Sequence, residues 1–199
     1  LFLTFTGRND WSSTLSAENN SYFYPSISLS TLVSEYVDLP SWVDFLKVNG
    51  AWAQVSSDLA PYALQATYTN GILYGSTPSA TYPNKVTDPA DSNSTITALV
   101  NPDILPQKTT SFEVGMSTSF LQNRLGMDIT YYRMLDENSI IKLPVSVASG
   151  FPYRFVNGNK YTTNGVELIL TGTPIRNKQF SWDIAMNWSS NIRKLTEIY

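Results

Sequence analysis

Between Ser111 and Arg133 hydrophobicity alternates with a period of two, a pattern that becomes a single apolar face only in an extended strand. Phe112, Val114, Met116, Thr118 and Phe120 fall on one side, with Glu113, Gly115, Ser117 and Ser119 between them. After Gln122 and Asn123 the alternation resumes in Leu125, Met127, Ile129 and Tyr131 against Gly126, Asp128, Thr130 and Tyr132. Folding the chain back on a two-residue loop sets Phe120 opposite Leu125, Thr118 opposite Met127, Met116 opposite Ile129 and Val114 opposite Tyr131. All apolar side chains then share one face, which predicts an antiparallel hairpin in this register.

The polar face narrows the choice further. A soluble sandwich covers its outer face with long charged side chains, whereas here the positions are Ser, Gly, Thr and a few isolated acids, and only 15% of the chain is charged. Such a surface suits the wall of a wet lumen with the apolar face turned to lipid. Each strand also approaches the roughly 10 residues that cross a membrane at a tilt. Soluble antiparallel sheets contain similar hairpins, so this pair alone leaves both readings open.

Along the rest of the chain the same period recurs. Leu1, Leu3 and Phe5 read as a strand that turn formers interrupt over Gly7–Ser13; Tyr22–Val33 alternates through Phe23, Pro25, Ile27 and Leu29; Leu46, Val48, Gly50 and Trp52 make a third strand. The connector 34–44 contains Pro40 and predicts one helical turn around Ser41–Phe45. Residues 56–110 and 134–163 read as irregular. A strand through Val166, Leu168 and Leu170 follows, with Ile169 an exception on its polar side, and a last one alternates through Phe180, Trp182, Ile184, Met186 and Trp188. The connections are therefore long (8–21), short (34–44), very long (56–110), very short (122–123), long (134–163) and short (173–179). Strict alternation puts every long loop at one edge of the sheet, as in barrels with short periplasmic turns and longer extracellular loops. Phe23, Trp52, Tyr131 and Trp188 fall at long-loop ends and Phe120, Phe180 and Trp182 near short turns, two candidate interfacial belts.

Composition removes several functions. The chain has neither His nor Cys, which excludes disulfide frameworks, thiol nucleophiles, His-based triads and most zinc sites, and a net charge of −3 argues against a nucleic-acid-binding surface. No run of about 18 apolar residues is present, so no membrane helix is expected. The strand-like start at Leu1 and the stop at Tyr199 read as a piece of something longer.

Six blocks in order carry a resemblance: Arg8-Asn-Asp-Trp-Ser-Ser-Thr-Leu15, Tyr22-Phe-Tyr-Pro-Ser-Ile-Ser-Leu29, Leu46-Lys-Val-Asn-Gly-Ala-Trp-Ala-Gln54, Lys108-Thr-Thr-Ser-Phe-Glu-Val-Gly115, Asn123-Arg-Leu-Gly-Met-Asp-Ile-Thr-Tyr-Tyr132 and Asn164-Gly-Val-Glu-Leu168. Together they closely resemble the late barrel strands of SusC/RagA-type TonB-linked outer-membrane transporters. Lys160–Asn164 and Gln54–Asp58 depart slightly from the family pattern. The resemblance implies an all-β, membrane-spanning antiparallel β-barrel, of which residues 1–199 supply about seven strands out of roughly 22, closed by a plug. It places the plug and the N-terminal domains outside this segment. It implies import of a glycan, oligosaccharide or peptide across the outer membrane of a Bacteroidota-type cell. The implied partners are a SusD-like surface lipoprotein, the TonB–ExbB–ExbD energy-transducing complex and outer-membrane lipid.

Candidate site residues follow from the alternation. Glu113, Asp128, Glu167 and Asp183 are expected to face the lumen, lining a path or contacting the plug; scattered solvated charges on a wet wall would look the same. They lie on separate strands, and nothing brings two of them to the spacing of a paired-carboxylate hydrolase. Tyr62, Tyr74 and Tyr82 in the longest loop are candidates for stacking on sugar rings or meeting the lipoprotein. Asp88, Asp91 and Asn93 offer oxygen ligands but match no EF-type calcium loop. No cofactor, metal or catalytic residue is expected, and no enzyme activity. Two other readings remain, a soluble β-rich binding module or adhesin, and a passive outer-membrane porin.

Overall fold

A computed structural model describes residues 1–61, 63–64, 67–73, 77–88 and 91–198, with side chains described outside 65–95. In chain order the strands are β1 (Phe2–Trp11), β2 (Ser21–Leu32), β3 (Val43–Ser57), β4 (Thr67–Leu73), β5 (Thr77–Asp88), β6 (Asp91–Ile96), β7 (Ala98–Leu99), β8 (Gln107–Phe120), β9 (Leu125–Glu137), β10 (Ser139–Pro144), β11 (Tyr153–Gly158), β12 (Lys160–Arg176) and β13 (Ser181–Glu197). Seven of them form one sheet in the order β1-β2-β3-β8-β9-β12-β13. Each pair is antiparallel. The sheet is an open meander whose edges are β1 and β13.

The hairpin register agrees with the alternation at all four predicted pairs: Phe120 with Leu125, Thr118 with Met127, Met116 with Ile129, Val114 with Tyr131. The turn is longer than expected. It takes four residues, Leu121 to Arg124, the first three at φ of 55°, 61° and 58°, and closes when Arg124 N–H donates to Phe120 O at 3.0 Å. Left-handed backbone is costly without glycine, and only Asn123 tolerates it readily. The turn is held from outside: Leu121 N–H donates to Trp42 O at 3.0 Å and Asn123 N–H to Asp44 Oδ2 at 2.9 Å.

Carried across the sheet, the register builds continuous cross-strand rows. One runs Val48, Met116, Ile129, Leu168, Trp188; the next runs Leu29, Gly50, Val114, Tyr131, Val166. On the opposite face run Lys47, Ser117, Asp128, Ile169 and Asn187, then Asn49, Gly115, Thr130, Glu167 and Ser189. One face is thus apolar and the other small and polar, with Ile169 the exception. Neither face is covered. Among the described residues no large apolar side chain of the seven strands is buried, and Phe5, Val114, Tyr131, Met186 and Trp188 all stand exposed on the apolar face. A sheet with its apolar face open has not buried its hydrophobic area against protein, which marks that face as a contact surface for something else.

Three boundaries differ from the sequence expectation. β1 continues through the supposed turn formers to Trp11, because Arg8 and Asp10 pair across to Tyr24 and Tyr22. The helical turn lies at Val33–Glu35, not at Ser41–Phe45, where Val43 already pairs with Phe120 and a bulge accommodates Asp44. Residues 56–110 and 134–163 are not irregular throughout. β8, β9 and β12 run well past their apolar stretches, β4, β5 and β6 form a small sheet, and β10, β11 and β7 form another.

Candidate functional site

A meander alternates its connections between two edges, so segments 12–20, 58–106 and 138–159 leave the same edge. There they meet. Leu15 from the first, Leu59, Ala63, Ala98 and Ile104 from the second and Phe155 from the third form a buried apolar cluster, with Ile104 and Ala98 fully buried. Backbone pairing ties the second connection to the third, β7 lying parallel to β11 through Ala98–Tyr153 and Leu99–Arg154. Asn157 adds a clip. Its Oδ1 accepts from Leu105 N–H at 2.7 Å, and its Nδ2 donates to Leu105 O at 2.8 Å and to Asn138 O at 3.0 Å, so one amide satisfies backbone groups of two connections. Ser12 and Thr14 hydroxyls both reach the Asp58 carboxylate, Thr14 at 3.2 Å, which joins the first connection to the second. The three long connections therefore make one cap.

Beneath the cap, on the polar face, charge and aromatic rings gather at two places. On β1 and β2, Arg8 pairs with Asp10 at 2.6 Å and lies 5.9 Å over the Tyr24 ring, and Tyr22 packs edge-on against Tyr24 with centroids 5.4 Å apart. Tyr24 OH donates to Ser56 O at 3.1 Å, and the hollow these residues share with Asp58 measures ≈ 580 Å³. On β9, β12 and β13, Arg193 Nη2 meets Asp136 Oδ2 at 3.1 Å and stacks 4.4 Å from the Tyr161 ring, while Thr109 donates to Asp136 at 2.8 Å. Beside it Lys160 contacts Glu137 at 3.0 Å and Glu197 at 3.8 Å. Both partners raise the ammonium pKa, the Glu137 hydrogen bond most. A second polar hollow of ≈ 220 Å³ lies among Glu137, Asn138, Asn157 and Lys160. Rings flanked by paired charges and amides offer stacking surfaces and many hydrogen-bond partners with little net charge, the chemistry that holds a neutral polar ligand.

Glu113, Asp128, Glu167 and Asp183 all fall on the polar face, on four different strands. Asp183 is engaged by Thr173 Oγ1 at 2.6 Å; the four are not brought together into one cluster. Tyr62 and Tyr74 lie outside the described residues, as do the side chains of Tyr82, Asp88, Asp91 and Asn93. Among the described residues no group of acids is arranged to hold a metal ion. The two clusters beneath the cap escape sequence reasoning because their members come from separate strands. The one available signal was Arg8-x-Asp10 against Tyr22-x-Tyr24, visible only once β1 is allowed to run through to Trp11.

The sequence profile of TonB-dependent receptor-like β-barrels matches residues 1–196. Among individual proteins, TonB-dependent receptor P26 of Formosa agariphila is 24% identical over 198 residues, 98% of this chain and 19% of that protein. TonB-dependent receptor SusC of Bacteroides thetaiotaomicron is 28% identical over 215 aligned residues, again 98% of this chain and 19% of the relative. The RagAB peptide importer in its closed-closed state superposes with a TM-score of 0.83 at 22% identity, over 99% of this chain and 20% of that one. The chain thus spans about a fifth of the length of the relatives it matches. With an open apolar sheet face, alternating edges and a profile match along almost its whole length, this chain is a segment of an outer-membrane β-barrel and belongs to the TonB-dependent receptor β-barrel family.

Proposed function

We propose that residues 1–199 form part of the wall and outer mouth of a single closed transmembrane barrel that imports a nutrient across the outer membrane. The observation that carries this reading is the convergence of connections 12–20, 58–106 and 138–159 on one buried core at one edge, while among the described residues connections 33–42, 121–124 and 177–180 at the opposite edge contribute nothing to it. In this reading the apolar face meets lipid, and the polar face, with Glu113, Asp128, Glu167 and Asp183, lines the lumen. The two open edges, β1 and β13, require further strands, because unpaired backbone N–H and C=O groups cannot sit in hydrocarbon.

The cap and the hollows under it are the first protein surfaces an external nutrient would meet. Their rings, amides and paired charges favour a glycan, an oligosaccharide or a peptide over a strongly ionic ligand. Tyr62, Tyr74 and Tyr82, in the longest connection, are placed by the chain to meet that ligand or a SusD-like surface lipoprotein. RagAB is a peptide importer and SusC a TonB-dependent receptor, which favours the same division of labour here. The outer membrane has no ATP, so uptake would draw its work from the TonB–ExbB–ExbD complex. The chain's part is structural and recognitive, without a cofactor and without catalysis.

Growth on the cognate nutrient tests this. Uptake by cells carrying the full-length protein should stop when the TonB-contact segment is deleted or the proton-motive force is dissipated. Persisting uptake would make the barrel a passive porin. Labelling of intact cells separates topology from energetics: a cysteine at Ser146 should react with an impermeant maleimide and one at Asn177 should not.

A further inference from the structure

We propose that the short-turn end of the apolar face holds one phospholipid molecule, with an acyl chain in a hollow over β12 and its phosphate at Arg124. The hollow measures ≈ 560 Å³ and is walled by Leu121, Leu125, Leu170, Pro174, Ile184 and Met186. Its floor is backbone. Gly172 stands in the apolar row between Leu125 and Ile184, and a Cβ there would meet nothing nearer than Arg124 O at 3.8 Å. Where the next apolar rows carry Leu170 and Leu168 on β12, this row has no side chain at its β12 position.

The hollow is a built feature. Between Gly172 and Ile175 the β12–β13 register shifts, and the bulge swings Pro174 out to form one wall. Thr173 N–H donates to Arg124 O at 2.7 Å, which pins the bulge to the adjacent turn. Both sheet neighbours of β12 are present, so a further strand beside β13 would leave the hollow open to lipid.

Charge at the mouth selects the occupant. Arg124 lines both this hollow and the polar one beside it that contains Asp183, and among the described residues it makes no ion pair. Nearby carboxylates are engaged elsewhere: Asp44 accepts from Asn123 N–H at 2.9 Å, and Asp183 from Thr173 at 2.6 Å and Ser181 at 3.3 Å. An arginine without an ion pair in the lining of an apolar hollow, in a turn at the end of the strands, matches an anion on a hydrocarbon tail, and the planar fork of a guanidinium suits phosphate. Short turns of such barrels face the periplasm, so the occupant is a glycerophospholipid of the periplasmic leaflet. This rests on the lipid-facing orientation proposed above.

The test uses the full-length protein in phosphatidylethanolamine vesicles doped with phosphatidylethanolamine carrying a diazirine on one acyl chain. Photo-adducts are mapped by mass spectrometry. Adducts at Leu121, Leu170 and Met186 should exceed those at Phe5 and Ile27 on the same face. Gly172→Leu, which fills the hollow, should reduce them to the Phe5 level. Arg124→Gln should reduce them about fivefold, the loss expected for one cation at a lipid surface. Arg124→Gln lies in an exposed turn and keeps the test decisive if Gly172→Leu fails to assemble. Equal labelling of hollow and Phe5, or hollow labelling unchanged in a folded Arg124→Gln barrel, would overturn the site. An absence of adducts at Phe5 and Ile27 as well would overturn the orientation beneath it.

Discussion

The sheet and the cap obey different rules. Among the described residues of the seven-stranded sheet no large apolar side chain is buried, and order comes from backbone pairing and alternation. In the cap, Ile104, Ala98 and Phe155 are buried among segments that share no period, and order comes from packing and from single amides such as Asn157. The solvent explains the difference. A lipid-facing sheet satisfies its apolar side chains outside the protein, so it needs no core but must pair every backbone group. A cap in water must make its own core, however small. One chain has therefore been selected against two solvents, and damage to one region should leave the other standing.

The largest expected effect falls on the sheet. Ile129→Arg, in the middle of an apolar row, should cost the full-length barrel about 2–4 kcal/mol in lipid, while Asp128→Asn on the other face changes stability by no more than about 0.5 kcal/mol. Urea titration of the reconstituted barrel checks both, and equal effects would erase the distinction between faces. Next comes the cap. Ile104→Ala should loosen it by about 2–3 kcal/mol, seen as proteolytic nicking within 58–106 on intact cells, with the barrel still migrating as a folded species. Loss of the folded barrel in that variant would mean that cap and sheet are one cooperative unit. The smallest effect is at the clip: Asn157→Ala should cost about 1 kcal/mol and speed amide exchange at Leu105 alone among the long-edge backbone groups. Unchanged exchange there would remove the amide from the account.

How much of this was legible in the sequence follows the same division. The hairpin register could be read because a one-residue slip would send Met116, Ile129 and their neighbours to the wrong face, so alternation leaves one pairing. The expected strict alternation of long and short connections does not hold at the first pair, because β1 runs on to Trp11 and leaves 12–20 shorter than 33–42 on the other edge; the edges follow from the antiparallel meander itself. Turn chemistry was less legible. Leu121 and Gln122 carry no sign of left-handed backbone, and the turn is held by Trp42 O and by Asp44 at the start of β3. β1 was cut short at Gly7 because Asn9, Asp10 and Ser12 are turn formers locally, although pairing with Tyr22 and Tyr24 overrides that preference. The cap core was invisible, since Leu15, Ile104 and Phe155 sit in irregular stretches and only tertiary contact makes them a group.

The central claim is that one face of this sheet meets lipid and the other meets water. Single cysteines at successive positions from Met127 to Tyr132 in the full-length protein, each carrying an environment-sensitive fluorophore in bilayers, test it most directly. Quenching by doxyl-labelled lipid should peak at positions 127, 129 and 131, and quenching by aqueous iodide at 128, 130 and 132. Quenching without alternation, or with the two sets reversed, would contradict it.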